Sequence, residues 1–328
     1  MKTVLKWTGR LVLVLLVGFG LLALLGPREK VDLSAGFDAS LLGDDIDDYF
    51  EREEAKFSDI VEGVQKRVVW AGDVGVKTPI SVLYIHGFSA SSEEIRPVPD
   101  KVAEALGANL VYTRLTGHGR SGAAMAQATA SDWMRDTAEA LAAARAVGES
   151  VVVIATSTGG TLVAAAALRE DLMENVAGAI FVSPNFALNS ASSVILTWPA
   201  VRWWGPLVAG AERSFDVIND DHAAFWTNSY PTVALLPMAG LVKTVDGLDL
   251  GQAKIPSLFV ISDNDQVVSP TKNREVAEEW GGPSQLEILT LSEGDDPNAH
   301  VIAGDIMSAG QTELAAAVMI EWANGVLQ

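Results

Sequence analysis

Ser157, Asp265 and His300 are the residues of this chain whose types and order could break a bond. A serine hydroxyl is a poor nucleophile at neutral pH. It needs a base to take its proton, an acid to orient that base, and donors to hold the oxyanion that forms. The run Val151-Val152-Val153-Ile154-Ala155-Thr156-Ser157-Thr158-Gly159-Gly160-Thr161 reads as a buried strand, a tight turn and the start of a helix continuing to Leu168. A serine at the tip of such a turn points its hydroxyl away from the sheet, toward a base and a helix N-terminus. The pattern is G-x-S-x-G with Ala155 where the first glycine usually stands, a position that needs a small side chain because the helix crosses closely behind the strand. Taken alone, the segment is equally a Ser/Thr/Gly helix cap.

The partners decide between these. His300 follows the last expected strand, in Asp295-Asp296-Pro297-Asn298-Ala299-His300, and lies downstream of both the serine and an acid. His86 and His118 precede the serine and read as loop-stabilising residues, and His222 falls in an irregular segment. Ile261-Ser262-Asp263-Asn264-Asp265-Gln266-Val267-Val268 puts two aspartates just past a strand. Asp265 is the better acid because the chain then returns to the core, and Asp263 is the reserve. For the oxyanion, His86-Gly87-Phe88-Ser89 ends another strand, so the amide of Phe88 can converge with that of Thr158.

These residues need a frame that brings strand ends together. Short apolar strands are expected at 67–70, 81–85, 110–113, 151–154, 179–182, 257–261 and 286–289, alternating with helices at 93–106, 131–147, 161–168, 273–280 and 311–323. That alternation predicts an α/β fold with a mostly parallel sheet covered by helices on both faces. Residues 186–250 break it. They hold Trp198, Trp203, Trp204 and Trp226, four of the nine tryptophans, and four prolines, Pro199, Pro206, Pro231 and Pro237, interrupt the stretch. An insertion after a strand end sits over the edge where such sheets bind ligands, so it is expected to form a helical lid, with these tryptophans as candidates for an apolar pocket.

From about residue 67 to the C-terminus the sequence resembles α/β-hydrolases of the carboxylesterase, monoacylglycerol lipase and serine aminopeptidase-like group. The matching pieces are His86-Gly87-Phe88, Arg114-Leu115-Thr116-Gly117-His118-Gly119-Arg120-Ser121-Gly122, Ala155–Gly160, Asp265–Val268 and Asn298-Ala299-His300. The resemblance implies Ser157 as nucleophile, Asp265 as acid, His300 as base, Phe88 and Thr158 as oxyanion donors, and 186–250 as a lid. Leu115-Thr116 departs from the acidic or aromatic residue that many relatives carry before Gly-His-Gly. Relatives that are dehalogenases or epoxide hydrolases use an aspartate nucleophile, and Ser157 argues against both. The expected activity is hydrolysis of carboxylic esters, lipid-like ones included, through an acyl-enzyme. The alternatives are amide or peptide cleavage or acyl transfer on the same residues, and a non-catalytic binding protein that retains the fold.

Composition narrows the partners. With 23 basic and 42 acidic residues the net charge is −19, which argues against nucleic acid. No cysteine is present, so disulfides, thiolate metal sites and a cysteine nucleophile are excluded. The chemistry requires no metal or cofactor. Lys2, Lys6 and Arg10 precede an uncharged apolar run, Leu11–Gly26. Residues 1–30 are therefore expected to be an uncleaved membrane anchor with the catalytic domain exocytoplasmic, periplasmic in a Gram-negative bacterium, or else a cleaved signal peptide. The acidic stretch Asp44–Glu54 lacks a calcium-loop turn, and 31–66 reads as a solvated helical spacer. The hydrolase core would then be 67–185 with 251–328.

Overall fold

Val82–Ile85, Val151–Ala155 and Leu258–Ile261 are apolar at every position and buried throughout. A strand covered on only one face would alternate with polar residues, so these runs belong to strands packed on both faces. The computed structural model describes residues 2–328. Among these, the strands are β1 (Arg67–Val69), β2 (Thr78–Ile85), β3 (Asn109–Tyr112), β4 (Gly148–Thr156), β5 (Val176–Val182), β6 (Glu212–Ser214), β7 (Ser229–Pro231), β8 (Ser257–Ile261) and β9 (Ser284–Ile288). The helices are α1 (Lys2–Leu25), α2 (Ile46–Glu54), α3 (Val98–Leu106), α4 (Gly122–Met125), α5 (Ala130–Val147), α6 (Thr158–Ala166), α7 (Val201–Ala209), α8 (Asp220–Phe225), α9 (Leu235–Asp246), α10 (Pro270–Glu279) and α11 (Thr312–Val326).

The main sheet runs β1-β3-β2-β4-β5-β8-β9, with β1 antiparallel to β3 and every other pairing parallel. Side chains alternate across it with the period of two that a pleat imposes. Leu83, Ile85, Val151, Val153, Ala155, Phe181 and Phe259 enter one core with α5, α6 and α9. Val82, Tyr84, Val152, Ile154, Ile180 and Val260 enter the other, with α3 and α11. Alanines at 138, 140, 142, 143 and 144 let α5 lie close to the sheet, near enough for Ser81 Oγ to donate to the Ala144 carbonyl at 2.8 Å. A reciprocal cap between Thr129 and Asp132 starts that helix. β4 lies in the middle of the sheet, with Ala155 beside Ile85 on one neighbour and Phe181 on the other.

Three segments differ from the sequence reading. Residues 186–250 leave the sheet as expected, but only part of the segment stands apart from the core. α7, α8 and the β6–β7 ribbon lie outside the sheet, whereas α9 buries Met238, Leu241 and Val245 in the core beside α6. The apolar spacing of Leu235–Val245 is that of a core helix, and the tryptophan count of the surrounding segment obscured it.

The acidic spacer is likewise anchored. Asp45 caps α2 by accepting from the Asp48 amide, and α2 buries Ile46, Tyr49, Phe50 and Glu54 while turning Asp48 and Glu51 outward. The Tyr49 hydroxyl donates to Glu139 at 2.6 Å, and Lys66 pairs with the same carboxylate. Arg114 reaches both oxygens of Glu54, at 2.7 and 2.8 Å.

The third is the N-terminus. Among the described residues no helix is long and apolar enough to cross a membrane, so the spanning anchor is not supported by the structure. The apolar run of 16 residues rises only about 24 Å, against roughly 30 Å for a hydrocarbon core. Just beyond α1 the chain is tied to the insertion: the Ala200 amide donates to the Pro27 carbonyl, and Arg202 pairs with Glu29 at 2.8 Å.

Candidate active site

Ser157 ends β4 and begins α6 with φ of +49°, a left-handed conformation that L-residues adopt at a cost on the order of 1–3 kcal/mol. The surroundings enforce it. Ser157 donates its amide to the Val182 carbonyl and accepts from the Asn185 amide, both at 3.0 Å. Behind it, a methyl group at Gly159 would come within 2.4 Å of the Ile85 carbonyl oxygen, and one at Gly160 within 2.8 Å of Pro184. The helix crosses so closely that these two glycines are required, while Ala155 is accommodated fully buried.

The three residues expected to act together are brought together. His300 Nε2 lies 3.1 Å from Ser157 Oγ, and His300 Nδ1 lies 2.8 Å from Asp265 Oδ2. A carboxylate can only accept, so Nδ1 carries the proton of the neutral ring and Nε2 is left to accept from the serine hydroxyl. Asp265 is itself fixed, because its Oδ1 accepts from the amides of Val267 and Val268 at 2.8 and 2.9 Å. Burial alone would lower the His300 pKa, but the charge and hydrogen bond of Asp265, with the charges of Glu94 and Asp296, outweigh it and hold the pKa above 6.5. The loop bearing His300 turns at Ala299, where φ is +51°, and is held by Asp296, which accepts from the amides of Asn298, His300 and Val301.

The amides of Phe88 and Thr158 have no acceptor among the described residues. Thr158 is the first residue of α6, where amides lack intrahelical partners and the helix dipole favours negative charge. The loop before Phe88 is braced by His86. Its Nε2 accepts from the Leu115 amide at 3.1 Å, so its Nδ1 donates to the Gly87 carbonyl at 2.9 Å. Burial pushes the His86 pKa down to about 4, so this brace stays neutral. His118 packs against His86, Phe88 and Trp133. Leu115 and Thr116 do not line the cavity; they carry the hydrogen bonds to His86, Asp136 and Trp133.

Other candidates fall away from this centre. Asp263 is a surface residue paired with Arg274 at 2.6 Å and does not reach His300. His222 is buried between Phe215 and Trp226 across the cavity. Of the four tryptophans, Trp204 and Trp226 line the cavity that opens over Ser157, whereas Trp198 and Trp203 do not, and Trp203 is 66 % exposed. The cavity holds about 850 Å³ and is walled by Leu188, Ile195, Val201, Leu236, Met238 and Val301 among others, most of them from the insertion.

Sequence reasoning missed Glu94, Asp296 and Asn185, all buried in the cavity wall. Glu94 stands beside Glu93 after two serines, which reads as the opening of a helix, but the helix begins only at Val98. Asp296 before Pro297 was legible as a turn former, though not as the residue holding His300.

The sequence pattern of the family described as "Serine aminopeptidase, S33" matches residues 78–290. A thermostable monoacylglycerol lipase of Bacillus sp. (strain H-257) is 26 % identical over 214 residues, covering 65 % of this chain and 81 % of that protein. Among solved structures, one reported with LipS and LipT, two metagenome-derived lipolytic enzymes, superposes with a TM-score of 0.64 at 23 % identity. It matches 81 % of this chain and 99 % of its own. A soluble variant of the monoglyceride lipase of Saccharomyces cerevisiae, in complex with a substrate analogue, gives 0.59 at 14 % identity, over 80 % of this chain and 91 % of its own. The parallel sheet, the serine at the end of its middle strand and the family match agree: the chain belongs to the serine aminopeptidase S33 family of α/β-hydrolases.

Proposed function

We propose that this hydrolase cleaves carboxylic esters with apolar acyl groups, monoacylglycerol-like lipids included, through an acyl-enzyme on Ser157. The observation that carries the reading is the hydrogen-bonded chain Ser157–His300–Asp265 at the floor of a large apolar cavity. Ser157 Oγ attacks the ester carbonyl while His300 Nε2 takes its proton, and Asp265 stabilises the imidazolium that results. The oxyanion is held by the amides of Phe88 and Thr158. His300 returns the proton to the leaving alkoxide, then activates a water that releases the acid and restores the serine.

The insertion, up to the start of α9, acts as the lid of this site. Leu13, Val17 and Phe19 of α1 and Trp203, Leu207 and Val208 of the lid are exposed apolar side chains, a pattern that suits attachment of an exported enzyme to a lipid surface. No metal or organic cofactor is needed for the chemistry. The two monoacylglycerol lipase relatives support the lipid-like ester as substrate.

A panel of p-nitrophenyl esters of increasing chain length, run beside aminoacyl amides, tests the reading. kcat/KM should rise with chain length as the apolar wall is covered, by about fourfold per methylene at roughly 0.8 kcal/mol each. A preference for the amides would overturn it in favour of peptide or amide hydrolysis.

The base also predicts a pH profile. His300 must be neutral to take the serine proton, and its pKa is raised, so activity is full above that pKa and is lost as the pH falls through it. The acid limb of kcat/KM should therefore have its midpoint above 6.5. A rate that stays level from about pH 8 down to about pH 5 would remove His300 from the role.

A further inference from the structure

Glu94 lies between β2 and α3 and is only 2 % exposed, yet it borders the same cavity as Ser157 and His300. Its Oε2 accepts from the Gly87 amide at 2.7 Å and from the Tyr84 hydroxyl at 3.0 Å. The Tyr84 hydroxyl also lies 3.1 Å from Thr156 Oγ1, so side chains link the end of the nucleophile's strand to the loop that precedes Phe88. A methyl group on Gly87 would stand 2.7 Å from Glu94 Oε1 and 3.0 Å from Ser157 Cβ. The carboxyl and the nucleophile thus flank one α-carbon, and the next amide along the chain is that of Phe88.

We propose that Glu94 is the positioning residue of the oxyanion loop: it holds the Gly87 amide so that the Phe88 amide faces the reacting carbonyl. The inference rests on the reading of Ser157 as nucleophile and Phe88 as oxyanion donor. Gly87 cannot stabilise an oxyanion with an amide already committed to Glu94, so the loop presents one donor and the carboxyl fixes its direction.

The titratable groups facing Glu94 are Tyr84 from β2 and, on the loop after β9, His300, with Asp296 holding that loop; Asp265 stands behind His300, and His222 lies across the cavity on α8. Burial pushes the Glu94 carboxyl up to about 7, against the Gly87 amide, the Tyr84 hydroxyl and the charge of His300, each of which favours ionisation. Glu94 in turn helps to raise His300, so the two titrate as a coupled pair.

The test compares wild type, Glu94→Gln, Glu94→Ala and Ser157→Ala in the full chain with a p-nitrophenyl ester from about pH 5 to about 9. Glutamine keeps the shape and an acceptor for Gly87 but cannot ionise. Its kcat should stay well above that of Glu94→Ala, and its acid limb should move to lower pH because no carboxylate charge supports the imidazolium. Alanine leaves the Gly87 amide without a partner, and kcat should fall about 10- to 100-fold while KM changes less than about twofold, since the oxyanion contact strengthens only in the transition state. A folded Glu94→Ala enzyme with unchanged kcat overturns the inference, and so does a Glu94→Gln enzyme whose kcat falls as far as that of Glu94→Ala. If Glu94→Ala fails to fold, Glu94→Leu, which fills the volume without an acceptor, decides on the same kcat. Turnover surviving in Ser157→Ala would instead overturn the underlying assignment of the nucleophile.

Discussion

Replacing Ser157 by alanine is expected to lower ester turnover by a factor on the order of 10⁴ to 10⁶, leaving only what the oxyanion donors and the cavity contribute. The melting temperature should stay within about 2 °C of wild type, because alanine meets the same left-handed backbone that serine already occupies, and a change at unaltered packing is small. Labelling by a fluorophosphonate should disappear with the activity. Ser157→Gly sharpens the test. Glycine adopts a φ of +49° without strain, so this variant should be equally inactive yet more stable, by an amount on the order of 1 kcal/mol after its larger unfolded-state entropy is counted. A urea midpoint that rises as activity vanishes would show that the elbow is held against its own preference. Undiminished turnover in either variant would sink the assignment.

The second large effect lies away from the chemistry. Glu54 and Arg114 are 7 % and 4 % exposed, and the guanidinium meets both carboxylate oxygens. The same carboxylate accepts from the Lys66 amide at 3.2 Å, and Arg114 also donates to the His118 carbonyl at 3.1 Å. Glu54→Ala leaves an uncompensated cation in the interior, and removing one partner of a buried pair costs about 3–5 kcal/mol. For a domain of this size that is a fall in melting temperature of roughly 5–8 °C. Glu54 does not line the cavity, so kcat of the folded fraction should be unchanged at low temperature. An unaltered melting temperature would mean that α2 is held by its apolar face alone.

Much of the fold was legible because the sheet is buried on both sides. Continuous apolar runs such as Val151–Ala155 and Leu258–Ile261 have no other home in an α/β chain, and all seven expected strands fall on strands of the main sheet. That Ser157, Asp265 and His300 meet was legible for a different reason: each follows a strand, and parallel strands bring such ends to one edge. What the sequence concealed were charges whose burial depends on tertiary contact. Glu54 and Glu94 each sit beside an identical residue, Glu53 and Glu93, and only the packed structure separates the buried member from the exposed or half-buried one. The same holds for α9, whose place in the core is set by α6, far away in sequence.

The strand order has a consequence for how the enzyme would fail. Ser157 rides on β4, paired on both sides in the middle of the sheet, whereas Asp265 and His300 hang from loops after β8 and β9, and β9 is the edge strand. Proteins open in parts, and margins open at lower free energy than centres. Asp265 and His300 thus belong to a region that can detach while the strand of Ser157 stays closed to hydrogen exchange. Inactivation on warming would then begin as a fraying of one margin and precede the collapse of the whole.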